Sequence, residues 1–333
     1  MAHRRGVLLN IRHNLVIGIF FIICVASIGL SNISEFEYED IGNNDEGSSK
    51  VIESYFKAAD YYLVGNNTDN FHLYSSELIH NQTGNELILT SPNGVFFSSD
   101  GDPMYYSGGS GFYDIDEGKL FLKQNVILRS KQMTINSDEF TYEDKEKTVL
   151  SKGNVFSKTT NYDQMFDLVI ESDSLKYYHL LKKAQYSGEV KGKMNRFRKY
   201  EAPFYFNSDK LSLFMLEKRA EMDGNVAIQK QGLRANSRRG EVFLENYNKR
   251  LKYFALFDDV IVKEKVIPKN TPPFERRAYS ERLEGFTSEG MVVLLGSPKV
   301  YQKKDVLKGN VIVLRENNET IEVDDANTNF KLR

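Results

Sequence analysis

The residue types best suited to chemistry recur as three Ser-Asp pairs, Ser137-Asp138, Ser172-Asp173 and Ser208-Asp209, spaced 35 and 36 residues apart. A column of aspartates invites calcium, but that ion takes roughly six to eight oxygens, and one acid per repeat supplies few of them. The same residue types also bond neighbouring backbone where a strand turns a corner, and that is the role expected here. The five histidines offer little. His3 and His13 lie near the start, and His72 and His80 stand eight residues apart with no cysteine or HExxH-type frame beside them. They read as solvated strand histidines rather than zinc ligands. No GxSxG or P-loop occurs, and no GxGxxG opens a helix after a strand. The Gly-rich stretch 107–113 reads as a turn or bulge. No catalytic residue, metal site or cofactor is expected, and the chain does not read as an enzyme.

The pairs belong to a larger frame that must position them. "INSDEFTYEDKEKTVLSKGNV" (135–155), "IESDSLKYYHLLKKAQYSGEV" (170–190) and "FNSDKLSLFMLEKRAEMDGNV" (206–226) are each 21 residues long. Each carries Ser-Asp near its start, a lysine at its thirteenth place (Lys147, Lys182, Lys218) and Gly-x-Val at its end. A weaker copy, 106–126, keeps Tyr113 and Val126 but lacks Ser-Asp. Places 15, 17 and 21 share one strand face: Leu120, Leu122 and Val126, then Val149, Ser151 and Val155, then Ala184, Tyr186 and Val190, then Ala220, Met222 and Val226. The places between are mostly polar, as at Lys123, Lys152, Ser187 and Glu221. This period of two predicts strands with one buried and one wet face. Each unit therefore reads as strand, turn near the lysine, strand, corner. The pattern continues more loosely through Asp258-Asp259-Val260, "GSPKV" (296–300) and "GNVIV" (309–313). Neighbouring units in such an array bury one another's apolar faces. Residues 266–277, with their prolines, read as a long surface loop or a junction, and 51–64 fits helix or strand equally.

At the scale of the chain, 333 residues with 41% apolar content suffice for a core, and a net charge of −2 argues against a general nucleic-acid binder. The lone Cys24 allows no internal disulfide. Residues 15–33 contain no charge, and as a helix they would span about 28 Å, close to the hydrocarbon core of a bilayer. Arg4, Arg5 and Arg12 precede this segment and a run of acids follows it, which predicts a cytoplasmic N-terminus and a translocated remainder. Apolar residues continue past the small-residue stretch 25–27, which favours an uncleaved anchor over a signal peptide. The expected organisation is a cytoplasmic N-terminus (1–14), a transmembrane anchor (15–33), a flexible linker (34–50), a first β-jellyroll (51–160) and its continuation (161–333).

A basic N-terminus, one apolar helix and units ending "KQNVIL", "SKGNVF" and "MDGNVAI" together resemble the lipopolysaccharide-transport bridge proteins LptC and LptA (OstA-like). Residues 71–155 are similar to LptC, and the part from about Ile170 looks more like LptA-type repeats. The resemblance implies an all-β fold, an elongated OstA-like jellyroll of about 35-residue repeats behind one transmembrane helix. It implies an inner-membrane, single-pass protein with most of its chain in the periplasm. Its partners would be lipopolysaccharide, the inner-membrane ABC transporter that supplies it, and an LptA-like or outer-membrane jellyroll joined by edge-strand pairing. The residues then expected to touch lipid are Phe97, Leu120, Leu122, Val126, Val149, Val155, Val190, Phe206, Val226 and Ile228. The alternative is a membrane-anchored β-repeat scaffold with a dry core and no lipid groove.

Overall fold

The computed structural model describes residues 53–64, 70–81, 84–97, 102–161, 166–196, 202–244, 251–268, 272–286, 289–315 and 321–324. The anchor and linker expected from the sequence lie outside these residues. No helix among the described residues is long and apolar enough to cross a membrane.

Residues 51–333 form one unit built from strands. It opens with β1 (Glu53–Val64), β2 (Asn70–Asn81), β3 (Glu86–Thr90), β4 (Asn93–Phe97), β5 (Pro103–Ser107) and β6 (Ser110–Asp114). Long strands follow: β7 (Lys119–Arg129), β8 (Met133–Glu143), β9 (Thr148–Asn161), β10 (Phe166–Tyr178), β11 (Lys183–Arg196) and β12 (Phe204–Phe214). Next come β13 (Arg219–Lys230), β14 (Leu233–Leu244), β15 (Leu251–Val266) and β16 (Phe274–Phe286). Five short strands close the array: β17 (Met291–Leu295), β18 (Lys299–Gln302), β19 (Asp305–Lys308), β20 (Val311–Arg315) and β21 (Ile321–Asp324). From β7 to β16 each strand pairs antiparallel with the next in the chain. Pairing of β9 with β10 carries the array across residue 160 without a break. Within the stretch 51–64, ambiguous in sequence, residues 53–64 are resolved as strand by their register with β2 from Glu53↔Asn81 to Val64↔Asn70. The proline-containing stretch is shorter as a loop than expected, because Val266 pairs with Phe274 and β16 begins there.

A defect at the middle of every second long strand gives the array its depth. In β9, Gly153 and Asn154 lie opposite the single residue Asp138 of β8, since the register passes from Glu139↔Lys152 to Asn136↔Phe156. Two residues against one is a β-bulge, which bends the strand. The same break falls at Gln124-Asn125, Gly188-Glu189, Gly224-Asn225 and Asp258-Asp259. All ten of these bulge residues have positive φ. Gly, Asn and Asp tolerate that conformation best and fill eight of the ten places, Gln124 and Glu189 being the exceptions.

On either side of the bulge line the strand halves form two ladders. The first holds β6, residues 119–123 of β7, 139–143 of β8 and their successors, and ends in β17, β20 and β21. The second holds β4, β5, residues 127–129 of β7 and their successors, and ends in β18 and β19. Side chains pack from one ladder to the other. Phe96 of β4 stacks on Tyr142 of β8 at 4.3 Å, and Phe71 stacks on Tyr113 at 5.1 Å. Ser157 bonds the Tyr186 hydroxyl at 3.0 Å. The fold is thus all-β, two facing ladders joined along a line of bulges, with the apolar core between them. The turn lysines fall where expected: Lys147, Lys182 and Lys218 end four-residue turns with positive φ.

Candidate functional site

The Ser-Asp pairs lie along the bulge line and hold it. Ser137 Oγ donates to the Glu139 carbonyl (2.9 Å) and Ser172 Oγ to that of Ser174 (3.1 Å), and outside the Ser-Asp pairs Ser237 Oγ donates to that of Arg239 (2.8 Å), whereas the buried Ser208 Oγ makes no hydrogen bond among the described residues. Asn154 and Asn225 donate their side-chain amides to Asp138 (2.8 Å) and Asp209 (2.9 Å) across the bulge. A Cβ at Gly153, Gly188 or Gly224 would collide with Asp138, Asp173 or Asp209, so glycine suits these three places for the close approach as well as for φ. The fifth corner reverses the charges. Arg238 and Arg239 stand on β14, Asp258 and Asp259 on the bulge, with ion pairs Arg238–Asp259 at 2.5 Å and Arg239–Asp258 at 2.7 Å. Arg239 holds the Asp258 carboxyl below its ordinary range. The corners are scaffolding, and no group of three or more candidate metal ligands occurs among the described residues. His72 is bonded to Asp60 at 2.8 Å and stacked on Tyr62.

A cavity of about 380 Å³ opens between the ladders. Phe204, Ile228 and Leu233 line it from the second ladder, and Phe254, Phe286, Met291, Val292 and Leu314 from the first. Its polar margin holds three cations, Lys230, Lys265 and Arg315, with Gln231 and Glu264. Arg315 is bonded to Glu322 at 3.0 Å, which raises the guanidinium pKa further. Glu264 is not a free acid. It pairs with Arg276 at 3.2 Å, both side chains are buried, and Arg276 Nε donates to Gln302 at 2.9 Å. Phe254 lies directly across the strands from Gly285, its ring covering the place where a Cβ would be. Glycine there lets the ring lie flat on the sheet instead of filling the cavity.

The N-terminal part of the interior is rich in aromatic rings. Tyr61, Phe71, Phe96, Tyr106, Tyr113 and Tyr142 pack ring on ring. Burial pushes the Tyr106 and Tyr113 phenols well above their ordinary range. It pushes that of Tyr186 up to about 12, against the opposing pull of its bond to Ser157.

Of the residues expected to touch lipid, Leu120, Leu122, Val126, Val149, Val155, Val190, Phe206, Val226 and Ile228 all point into the space between the ladders and are buried. Of these, Ile228 lines the cavity. Phe97 is half-buried at the end of β4, and its neighbour Phe96 is the core residue. Sequence reasoning missed Phe204, Leu233, Phe254, Phe286, Met291, Val292 and Leu314. The signal for Phe204 was its spacing of two from Phe206. The others fall where the 21-residue frame loosens.

Residues 19–195, just over half of the chain, match the family described as lipopolysaccharide-assembly, LptC-related. The chain belongs to the LptC-related family. Residues 205–320 match a second family of the same lipopolysaccharide-transport bridge, described as LptA/(LptD N-terminal domain) LPS transport protein. The cavity residues from Ile228 to Arg315 all fall within this second stretch. No curated protein matches the chain. Among solved structures it is similar to LptH of Pseudomonas aeruginosa, the LptA homologous periplasmic component of a lipopolysaccharide transport device. Identity is 17% and the TM-score 0.34, over 38% of this chain and 84% of that one.

Proposed function

We propose that this LptC-related chain is a membrane-tethered bridge. It receives lipopolysaccharide from an inner-membrane ABC transporter and passes the acyl chains between its two ladders toward the outer membrane. The cavity carries this reading, because its body is apolar and its margin cationic. An acyl chain entering such a space gains about 0.8 kcal/mol per buried methylene without directional demands. Lys230, Lys265 and Arg315 would meet the phosphates of the lipid head through charge-assisted hydrogen bonds. Residues 15–33 would tether the chain to the inner membrane. Among the described residues β1 pairs with β2 alone and β21 with β20 alone, so each offers an edge to a partner jellyroll. No nucleotide-binding motif occurs, so the transporter would supply the energy.

Photo-crosslinking side chains at Ile228 and Met291 test the reading during ATP-driven export. Both should capture lipopolysaccharide, whereas the same group at Tyr279, exposed on the outer face, should not. Equal capture at all three positions would refute the cavity as the lipid path.

A further inference from the structure

Two hairpin tips are out of keeping with a solvated surface. The tip at 144–147 is Asp-Lys-Glu-Lys, but the next two are His179-Leu180-Leu181-Lys182 and Met215-Leu216-Glu217-Lys218. These two are held side by side, since the Met215 amide donates to the Lys182 carbonyl at 3.0 Å. Leu180, Leu181, Met215 and Leu216 are 66%, 64%, 44% and 76% exposed, and Leu216 exceeds every other large apolar residue described. Single exposed apolar residues are ordinary, but four on two adjoining turns make a patch. Its surroundings are basic. Lys182, Lys183, Lys218 and Arg219 stand in or beside these turns; Arg219 is ion-paired with Glu217 and Glu221, so the basic character rests on the three lysines, in a chain whose net charge is −2.

We propose that the two tips dock on an anionic lipid surface. The leucines would enter the boundary between headgroups and acyl chains while the flanking cations meet lipid phosphates. Convex turns suit a bilayer better than a protein groove, and the basic flank selects an anionic one. The tether proposed above would favour docking by keeping the tips close to a bilayer, but the patch and its charge stand without it.

The test uses the full chain with Cys24→Ser and an environment-sensitive fluorophore at Leu216→Cys, mixed with vesicles that carry brominated quenching lipid. Vesicles containing phosphatidylglycerol should quench the probe several-fold more than vesicles of phosphatidylcholine alone. A probe at Ile88→Cys, exposed on β3, should be quenched by neither, and Leu180→Ser with Leu181→Ser should weaken the effect without lowering the melting temperature. Equal quenching at Leu216 and Ile88, equal quenching by both vesicles, no vesicle association, or quenching that requires an added protein would each overturn the proposal. Neither lipopolysaccharide nor transporter is present, so the outcome is independent of the lipid-transfer reading.

Discussion

At the residue scale, one structural task is solved with two opposite sets of charges. Asp138 and Asp209 take amides from asparagines on the bulge, while at the fifth corner arginines face two bulge aspartates. Arg238→Asp would place a third acid against Asp258 and Asp259 and should lower the unfolding midpoint. Adding Asp258→Gly and Asp259→Asn rebuilds the Gly-Asn corner and should restore it; thermal melts of the single and triple variants decide. The buried pair behaves differently. Arg276→Met strands Glu264 in a low-dielectric interior and should cost about 3–5 kcal/mol in denaturant unfolding, while Arg276→Met with Glu264→Leu should recover most of it. The corner role of Ser-Asp was legible because it depends on backbone a few residues away. The Glu264–Arg276 pair was not, because charged residues on a strand ordinarily mark the wet face.

At the scale of elements, strand identity and face were legible wherever the alternation was clean, as in 119–126 and 148–155, and the bulge kept the valine beyond it on the same face. What escaped were features set by partners across the sheet. The strand at 53–64 is fixed by its register with β2, and Phe96 rather than Phe97 faces inward because β4 is placed by β2 and β5. The cavity is set by cross-strand pairing as well. Gly285→Ala should push the Phe254 ring off the sheet into the cavity, and under the proposed lipid path should reduce lipopolysaccharide capture at Ile228 while the circular dichroism of the strands persists. Unchanged capture would mean that the flat ring does not keep the space open.

At the scale of the molecule, the interior changes character along the array, from stacked aromatic rings near the N-terminal end to open apolar space between β12 and β20. Composition could not reveal this, because a filled core and an open groove use the same residues. The buried phenols give the whole fold an alkaline limit. Tyr186 titrates near 10 when unfolded and about 12 when folded, so its contribution is complete below pH 10 and is lost as pH rises through 12. Two units correspond to roughly 2–3 kcal/mol. Denaturant unfolding at increasing pH should show this loss, and Tyr186→Phe should blunt it without abolishing it, since Tyr106 and Tyr113 shift in the same direction.

The repeated bulge also makes the span of the array a matter of copy number. Interior units meet their neighbours through the same register break, whatever the charges at the corner, so a unit can be inserted or removed without rebuilding either terminal edge. Each such event changes the distance between those edges by two strand spacings, roughly 10 Å. A longer reach needs no new fold, only another duplication of about 35 codons.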